Sequence, residues 1–248
     1  MKQQTTKIIL IVAIFLLSSC KHWWAKAVDD ESPYAGMSAK ELYTQGLDAL
    51  NKKQYTDSIK KFEALDTMYP FNDYAEQSQL NLIYAYYQKE DYSSSAATSE
   101  RYIHLYPRSK NVDYAYYMKG MANFRQVRGT IADILPMDVS RRDPGTQSQA
   151  YSDFASLVQK FPNSRYKANS LQHMIYLRNM FAQRELDASL YYYERQMYVA
   201  AIERANYLIR TYPQAPSTQK ALEVAYYANK NLGLKQAAED TLKIYRDT

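Results

Sequence analysis

The sequence predicts an all-α fold, a linear array of helix-turn-helix units, and three observations predict it. Pro70, Pro107, Pro162 and Pro213 each follow an aromatic residue at the end of a long helical pattern. Pro70 and Pro107 are 37 residues apart, and the segments before them align without a gap. Glycine is scarce, at 6 of 248 residues, and Val-rich runs are few, which argues against a β-rich or nucleotide-binding parallel-sheet fold.

Proline has no backbone N–H and cannot continue a helix, and an aromatic residue before it can cover the end of the packed face. Aligned on the prolines, Tyr55 to Ser58 fall on Tyr92 to Ser95, Glu63 falls on Glu100, and Tyr69 on Tyr106. In the first unit Gly46, Tyr55, Ser58, Phe62 and Pro70 fill the small, aromatic, small, large and proline positions of the tetratricopeptide repeat (TPR). Small residues let the paired helices A and B approach, and aromatics fill the space between units. In the third unit Gly120 sets the A-helix register, and Ala150, Phe154 and Pro162 set a B-helix register displaced by 18 residues. The intervening segment, about 126–145, reads as an inserted loop, the kind of insertion repeat arrays accept at turns. The fourth unit ends at Pro213 with Tyr198, Ala201 and Leu208 in register, and leaves room for a long or extra helix over residues 164–182. The fifth covers residues 217–247. About five units result, occupying residues 38–248.

The N-terminus sets the compartment. Lys2 and Lys7 precede an apolar run over residues 8–17, the length of a signal-peptide core and too short for a membrane span. The run ends in Leu17-Ser18-Ser19-Cys20, which resembles the bacterial lipobox. Residues 1–19 then form the signal peptide, and Cys20, the only cysteine, is the lipidation site. A lone cysteine in a secreted chain requires an explanation, and acylation supplies one. More than one acyl chain anchors stably. The resemblance implies a diacylglycerol thioether and an N-acyl group on Cys20. Lys21, in place of an aspartate, points to the outer membrane. Residues 20–37 read as a tether, with Trp23 and Trp24 suited to the headgroup interface or to an unconstrained tail.

No constellation supports catalysis. His22, His104 and His173 are too far apart in sequence to form a metal-spaced pair, and no HExxH, G-x-S-x-G or P-loop pattern occurs. His104 and His173 are expected to be packing or surface residues. Ser93, Ser94 and Ser95 are expected to start a helix by capping it. Without the signal peptide the formal charge is +3, too small and dispersed to imply nucleic acid. The expectation is a scaffold that binds proteins, with no metal and no cofactor beyond the covalent lipid.

Tyr69-Pro70-Phe71-Asn72-Asp73-Tyr74, the Gln79 to Tyr87 stretch, Asn111-Val112-Asp113-Tyr114, Arg142-Asp143-Pro144 and Phe161-Pro162-Asn163-Ser164 together resemble the BamD family. Those proteins are TPR lipoproteins of the machine that folds β-barrel proteins into the outer membrane. The resemblance implies a periplasm-facing, lipid-anchored outer-membrane protein that scaffolds β-barrel insertion. Its implied partners are the BamA barrel subunit, accessory lipoproteins and unfolded outer-membrane proteins. Arg204, in Glu203-Arg204-Ala205, matches a family arginine at the BamA contact, so Glu203 and Arg204 are the candidate interface. The concave A-helix positions Tyr43, Leu80, Tyr84, Tyr87, Tyr114, Tyr117 and Phe124 form the candidate groove. Its tyrosines offer rigid apolar area with a polar tip, which suits an extended barrel-protein terminus ending in an aromatic residue. A scaffold for another envelope machine, such as a secretin pilotin, and an accessory to a cell-wall enzyme are the other readings of the same compartment.

Overall fold

The structure, a computed structural model, describes residues 33–126 and 145–247. Ten helices and no strand occur among the described residues: α1 (Ala39–Asn51), α2 (Tyr55–Met68), α3 (Ala75–Gln88), α4 (Tyr92–Leu105), α5 (Val112–Gln126), α6 (Gly145–Lys160), α7 (Lys167–Glu194), α8 (Tyr198–Thr211), α9 (Ser217–Asn231) and α10 (Lys235–Asp247). Each helix packs on the next, and α1 on α3, α3 on α5 and α7 on α9. Consecutive antiparallel pairs with A-to-A stacking make this the expected array of five units.

Local chemistry explains the boundaries. Ser38 and Glu41 close a capping box on α1: Ser38 Oγ accepts from the Glu41 N–H, and the Ser38 N–H donates to Glu41 Oε2 at 2.8 Å. The B helices end alike. Tyr69, Tyr106 and Tyr212 have φ near −137°, −124° and −128°, and their N–H groups donate to Leu65, Tyr102 and Leu208. A following proline disfavours the helical conformation at the residue before it, so each helix stops there. The serine run differs from expectation. Asp91 caps α4, its Oδ1 accepting from the Ser94 N–H at 3.1 Å and from Ser93 Oγ at 3.0 Å. Ser95 is instead buried at the crossing with α3 and donates to the Ile83 carbonyl at 3.0 Å. The Asp91 carboxylate caps well because its negative charge also meets the positive end of the helix dipole.

The core is a chain of clusters, each shared by neighbouring units. Ile59, Phe62, Leu82 and Ala85 join the first two units. Leu80, Ile83, Tyr102, Val112, Ala115 and Met118 join the second and third. Phe154 packs with Ala150 and Leu177, and a larger group around Leu186, Ala205, Leu208 and Val224 holds the last two units together. Gly120 meets Phe154 as Gly46 meets Phe62, so the A and B helices of the third unit pair across the insertion as their registers predict. The inserted segment lies outside the described residues, with Gln126 closing α5 and Gly145 opening α6.

The room in the fourth unit is filled by one helix, the 28-residue α7. Pro162 and Pro213 are 51 residues apart, fourteen more than the 37 of the second unit, and fourteen residues make about four helical turns. The first half of α7 packs on the third unit through His173 and Leu177. Its second half pairs with α8 through Ala182 and Leu186.

Candidate functional site

The candidate groove residues divide into three environments. Tyr43 stacks on Tyr74, with centroids 4.8 Å apart, and leans on Phe62. Tyr87 meets Tyr92 edge-on at 5.4 Å. Further along, Tyr117 stacks on Tyr166 at 4.6 Å and donates its hydroxyl to Asn169 Oδ1 at 2.8 Å, while Phe124 meets His173 and Tyr176 edge-on. The start of α7 therefore covers Tyr117 and Phe124, and the open aromatic surface is shorter than the register alone implies. Between these ends lies a hollow of about 240 Å³ where Leu80, Tyr84 and Tyr114 come together with polar neighbours. Leu80 is its buried floor, and Tyr84, 40 % exposed, is its most open ring. Burial holds the Tyr114 phenol far above its ordinary value, so the hydroxyl stays protonated and available as a donor.

The candidate interface lies on the other half of the array. Arg204, on α8, is about half exposed, and its Nη1 is 3.2 Å from Glu185 Oε2 on α7. Glu203 beside it is exposed. Arg204 and Glu185 border a larger hollow of about 740 Å³ formed by α6, α7 and α8. Its aromatic lining runs from Tyr151 to Phe181 to Tyr212 to Tyr207, with successive centroids 6.5, 6.5 and 6.3 Å apart. Arg178 and Arg184 bring two further guanidinium groups to it. Arg178 is fixed at the far rim by its bond to Gln214 Oε1 at 3.0 Å. Burial pushes the Tyr212 phenol up to about 12, so it too remains neutral. The sequence reading found Arg204 and missed Arg178, Arg184 and Tyr151. No local pattern marks them, because only the four extra turns of α7 bring them to one place.

Among the described residues no cluster of His, Cys, Asp and Glu could hold a metal ion, and no helix is long and apolar enough to cross a membrane. His104 is exposed beside Glu100, and the His173 ring packs between Phe124 and Phe154. Cys20, Trp23 and Trp24 lie outside the described residues. The sequence-predicted residues thus border two hollows, one at Tyr84 and Tyr114 and one rimmed by Arg178, Arg184 and Arg204.

A family profile described as "Outer membrane lipoprotein" (YfiO) matches residues 35–244. The chain is 36% identical over 244 residues to outer membrane protein assembly factor BamD of Vibrio cholerae, covering 98% of each chain. It is 34% identical over 238 residues to the protein of that name from Neisseria gonorrhoeae, covering 96% of this chain and 89% of that one. The chain belongs to the BamD family. The profile begins before α1 and ends within α10, so both hollows fall inside the part shared with the family. A tetratricopeptide repeat protein from Parabacteroides merdae is a more distant structural neighbour, at 12% identity, with 84% of this chain and 78% of that one covered and a TM-score of 0.40.

Proposed function

We propose that the chain is a non-enzymatic, lipid-anchored scaffold at the periplasmic face of the outer membrane. In this reading it joins the barrel subunit BamA, accessory lipoproteins and unfolded barrel proteins during β-barrel assembly. Cys20 carries the lipid, residues 1–19 are removed, and residues 20–37 tether the repeat array. The observation that carries the reading is the pairing of BamD-family membership with an arginine-lined, aromatic-floored hollow at α6–α8. Aromatic and arginine side chains are enriched where protein surfaces bind tightly. One acidic residue, Glu185, faces three arginines, so the hollow favours an acidic partner group. BamA is the proposed occupant there, with Arg204 as the charged contact and Glu203 at its edge. The tyrosine-rich hollow near Tyr84 is the proposed client site.

Arg204→Glu tests the interface. Truncating or reversing one member of a desolvated charge pair costs about 2–5 kcal/mol, and the same change at a rim costs little. The expected result is strongly reduced BamA co-purification with an unchanged circular dichroism spectrum. BamA recovered at wild-type levels would remove Arg204 from the interface.

A further inference from the structure

The turns inside the last two helix pairs differ in chemistry from those inside the first two. Lys52, Lys53 and Gln54 make the first turn and Lys89, Glu90 and Asp91 the second, all polar, and Asp91 caps the helix after it. Met197 before α8 and Leu234 before α10 take the places of Gln54 and Asp91. Their carbonyls accept the first N–H bonds of those helices, from Ala201 and Ala238, both at 3.0 Å. Their side chains have no oxygen to accept a free N–H, so the stabilisation a polar residue gives a helix start is forgone at both. With Tyr191, Val199 and Leu232 they make five apolar side chains that are each between 39 and 64 % exposed. Asn231 Nδ2 donates to the Tyr193 hydroxyl at 3.2 Å, and α7 packs on α9, so the two turns lie side by side on one edge of the array. Arg195 lies over the Tyr191 ring, 3.6 Å from its centroid, and Lys230 and Lys235 are exposed on the neighbouring turn. Glu194 is the one acidic residue in 190–200 and 230–236, against these three basic ones.

From this arrangement we propose that the edge formed by these two turns docks on an anionic bilayer surface, with Met197, Val199, Leu232 and Leu234 among the headgroups and Arg195, Lys230 and Lys235 paired with lipid phosphates. This depends on the reading that Cys20 anchors the chain, and it specifies which face of the array meets the membrane. Three features select a bilayer. Apolar side chains flanked by basic residues and tyrosine are the composition of segments that lie in the headgroup interface. Three cations against one anion favour a negatively charged leaflet. Cys20 and Pro33 are thirteen residues apart, a reach of at most about 45 Å, so an anchored array stays close to the bilayer and a weak second contact is enough to orient it. The edge lies at the opposite end of α8 from Tyr212, which leaves the hollow at α6–α8 open to a protein.

The test places the full-length, acylated protein on vesicles of phosphatidylethanolamine and phosphatidylglycerol. Cys20 is the only cysteine, so once it is acylated an introduced cysteine is the single free thiol for a polarity-sensitive fluorophore. A label at Val199→Cys is expected to shift its emission to the blue and to be quenched by brominated lipid. A label at Lys53→Cys, in the polar turn of the first unit, should do neither. Met197→Asp with Leu234→Asp, added to the Val199 label, should abolish the quenching and raise the urea midpoint, because aspartate supplies the missing caps. Quenching that survives both aspartates would overturn the proposal. Equal quenching on vesicles of phosphatidylcholine alone would overturn the anionic preference. A blue shift without lipid quenching would mean that a second copy covers the edge, and would overturn the bilayer assignment. Protein that floats with the vesicles while its Val199 label stays in water would overturn the edge contact and leave the anchor standing. Protein that does not float would overturn the anchor reading, and this inference with it.

Discussion

At the scale of single residues, the array depends on matched volumes where A and B helices cross. A Cβ built on Gly46 would lie 2.9 Å from Phe62 Cε1, and one on Gly120 would lie 2.7 Å from Phe154 Cε1. Both distances are too short for carbon atoms, and both rings are fully buried, so the rings cannot swing into solvent. The second unit inverts the arrangement. Ile83 occupies the register of Gly46 and Ser99 that of Phe62, and both are fully buried. Large and small have changed helices without changing the sum, the kind of swap a close-packed interior accepts. Gly120→Ala is therefore expected to destabilise the fold by about 1–3 kcal/mol, the usual cost of overpacking. Urea unfolding would measure it, and Phe154→Leu in the same chain should cost less than the two changes added separately, because the sites touch. An unchanged unfolding midpoint for Gly120→Ala would show that the helices separate freely there.

At the scale of elements, the turns within the pairs repeat one backbone solution with different residues. Lys53, Glu90, Gln196 and Gly233 follow the A helices with φ of 60°, 66°, 59° and 75°. In each, the next N–H reaches back to close the helix, as from Asp91 to Tyr86 and from Leu234 to Asn229. A side chain in this left-handed conformation costs about 1–2 kcal/mol, and glycine avoids most of it. Gly233→Ala, with no atom near the added Cβ, should destabilise by about 1 kcal/mol through the backbone alone. Glu90→Gly should move stability the other way by about 0.5–1 kcal/mol. Equal unfolding midpoints for both variants and wild type would refute this account of the turns. The contrast explains what was legible in the sequence. Proline, glycine and small-large spacing act locally, so the pairs and the Gly120–Phe154 register could be read directly. The left-handed turns at Lys53, Glu90 and Gln196 carry no glycine to announce them. The course of α7 depends on tertiary packing, and with it the covering of Tyr117 and the gathering of Arg178, Arg184 and Arg204. For the same reason Arg165 was not recognisable as part of the Tyr84 hollow.

At the scale of the whole molecule, polar links couple unit to unit along the array. Arg101 of the second unit holds Asp66 of the first through two bonds, at 2.6 and 3.0 Å. Ser217 of the fifth donates to Gln183 of the fourth at 2.8 Å. A branched set joins the second and third units. Lys119 on α5 bridges Glu100 on α4 and Asp153 on α6, with its Nζ 3.1 Å from Asp153 Oδ1. Asp153 is buried and also accepts from Asn123 Nδ2 at 2.7 Å and Gln149 Nε2 at 3.0 Å. The hydrogen bond from Lys119 holds the Glu100 carboxyl below its ordinary 4.5, and His104 one turn along adds to the effect. A folded-state value below the unfolded one means that the unfolded chain binds more protons in acid. The stabilisation from Glu100 is then complete above about pH 4.5 and is lost as pH falls through its lower folded value. In a repeat array stability passes through nearest-neighbour contacts, so weakening this junction should loosen the second unit from the third before either melts. Unfolding by urea followed from about pH 7 to about pH 3 should show a falling midpoint, and Glu100→Gln should start lower at neutral pH and fall less steeply. Parallel curves for the two proteins would mean that Glu100 adds nothing to the junction and that acid acts elsewhere on the array.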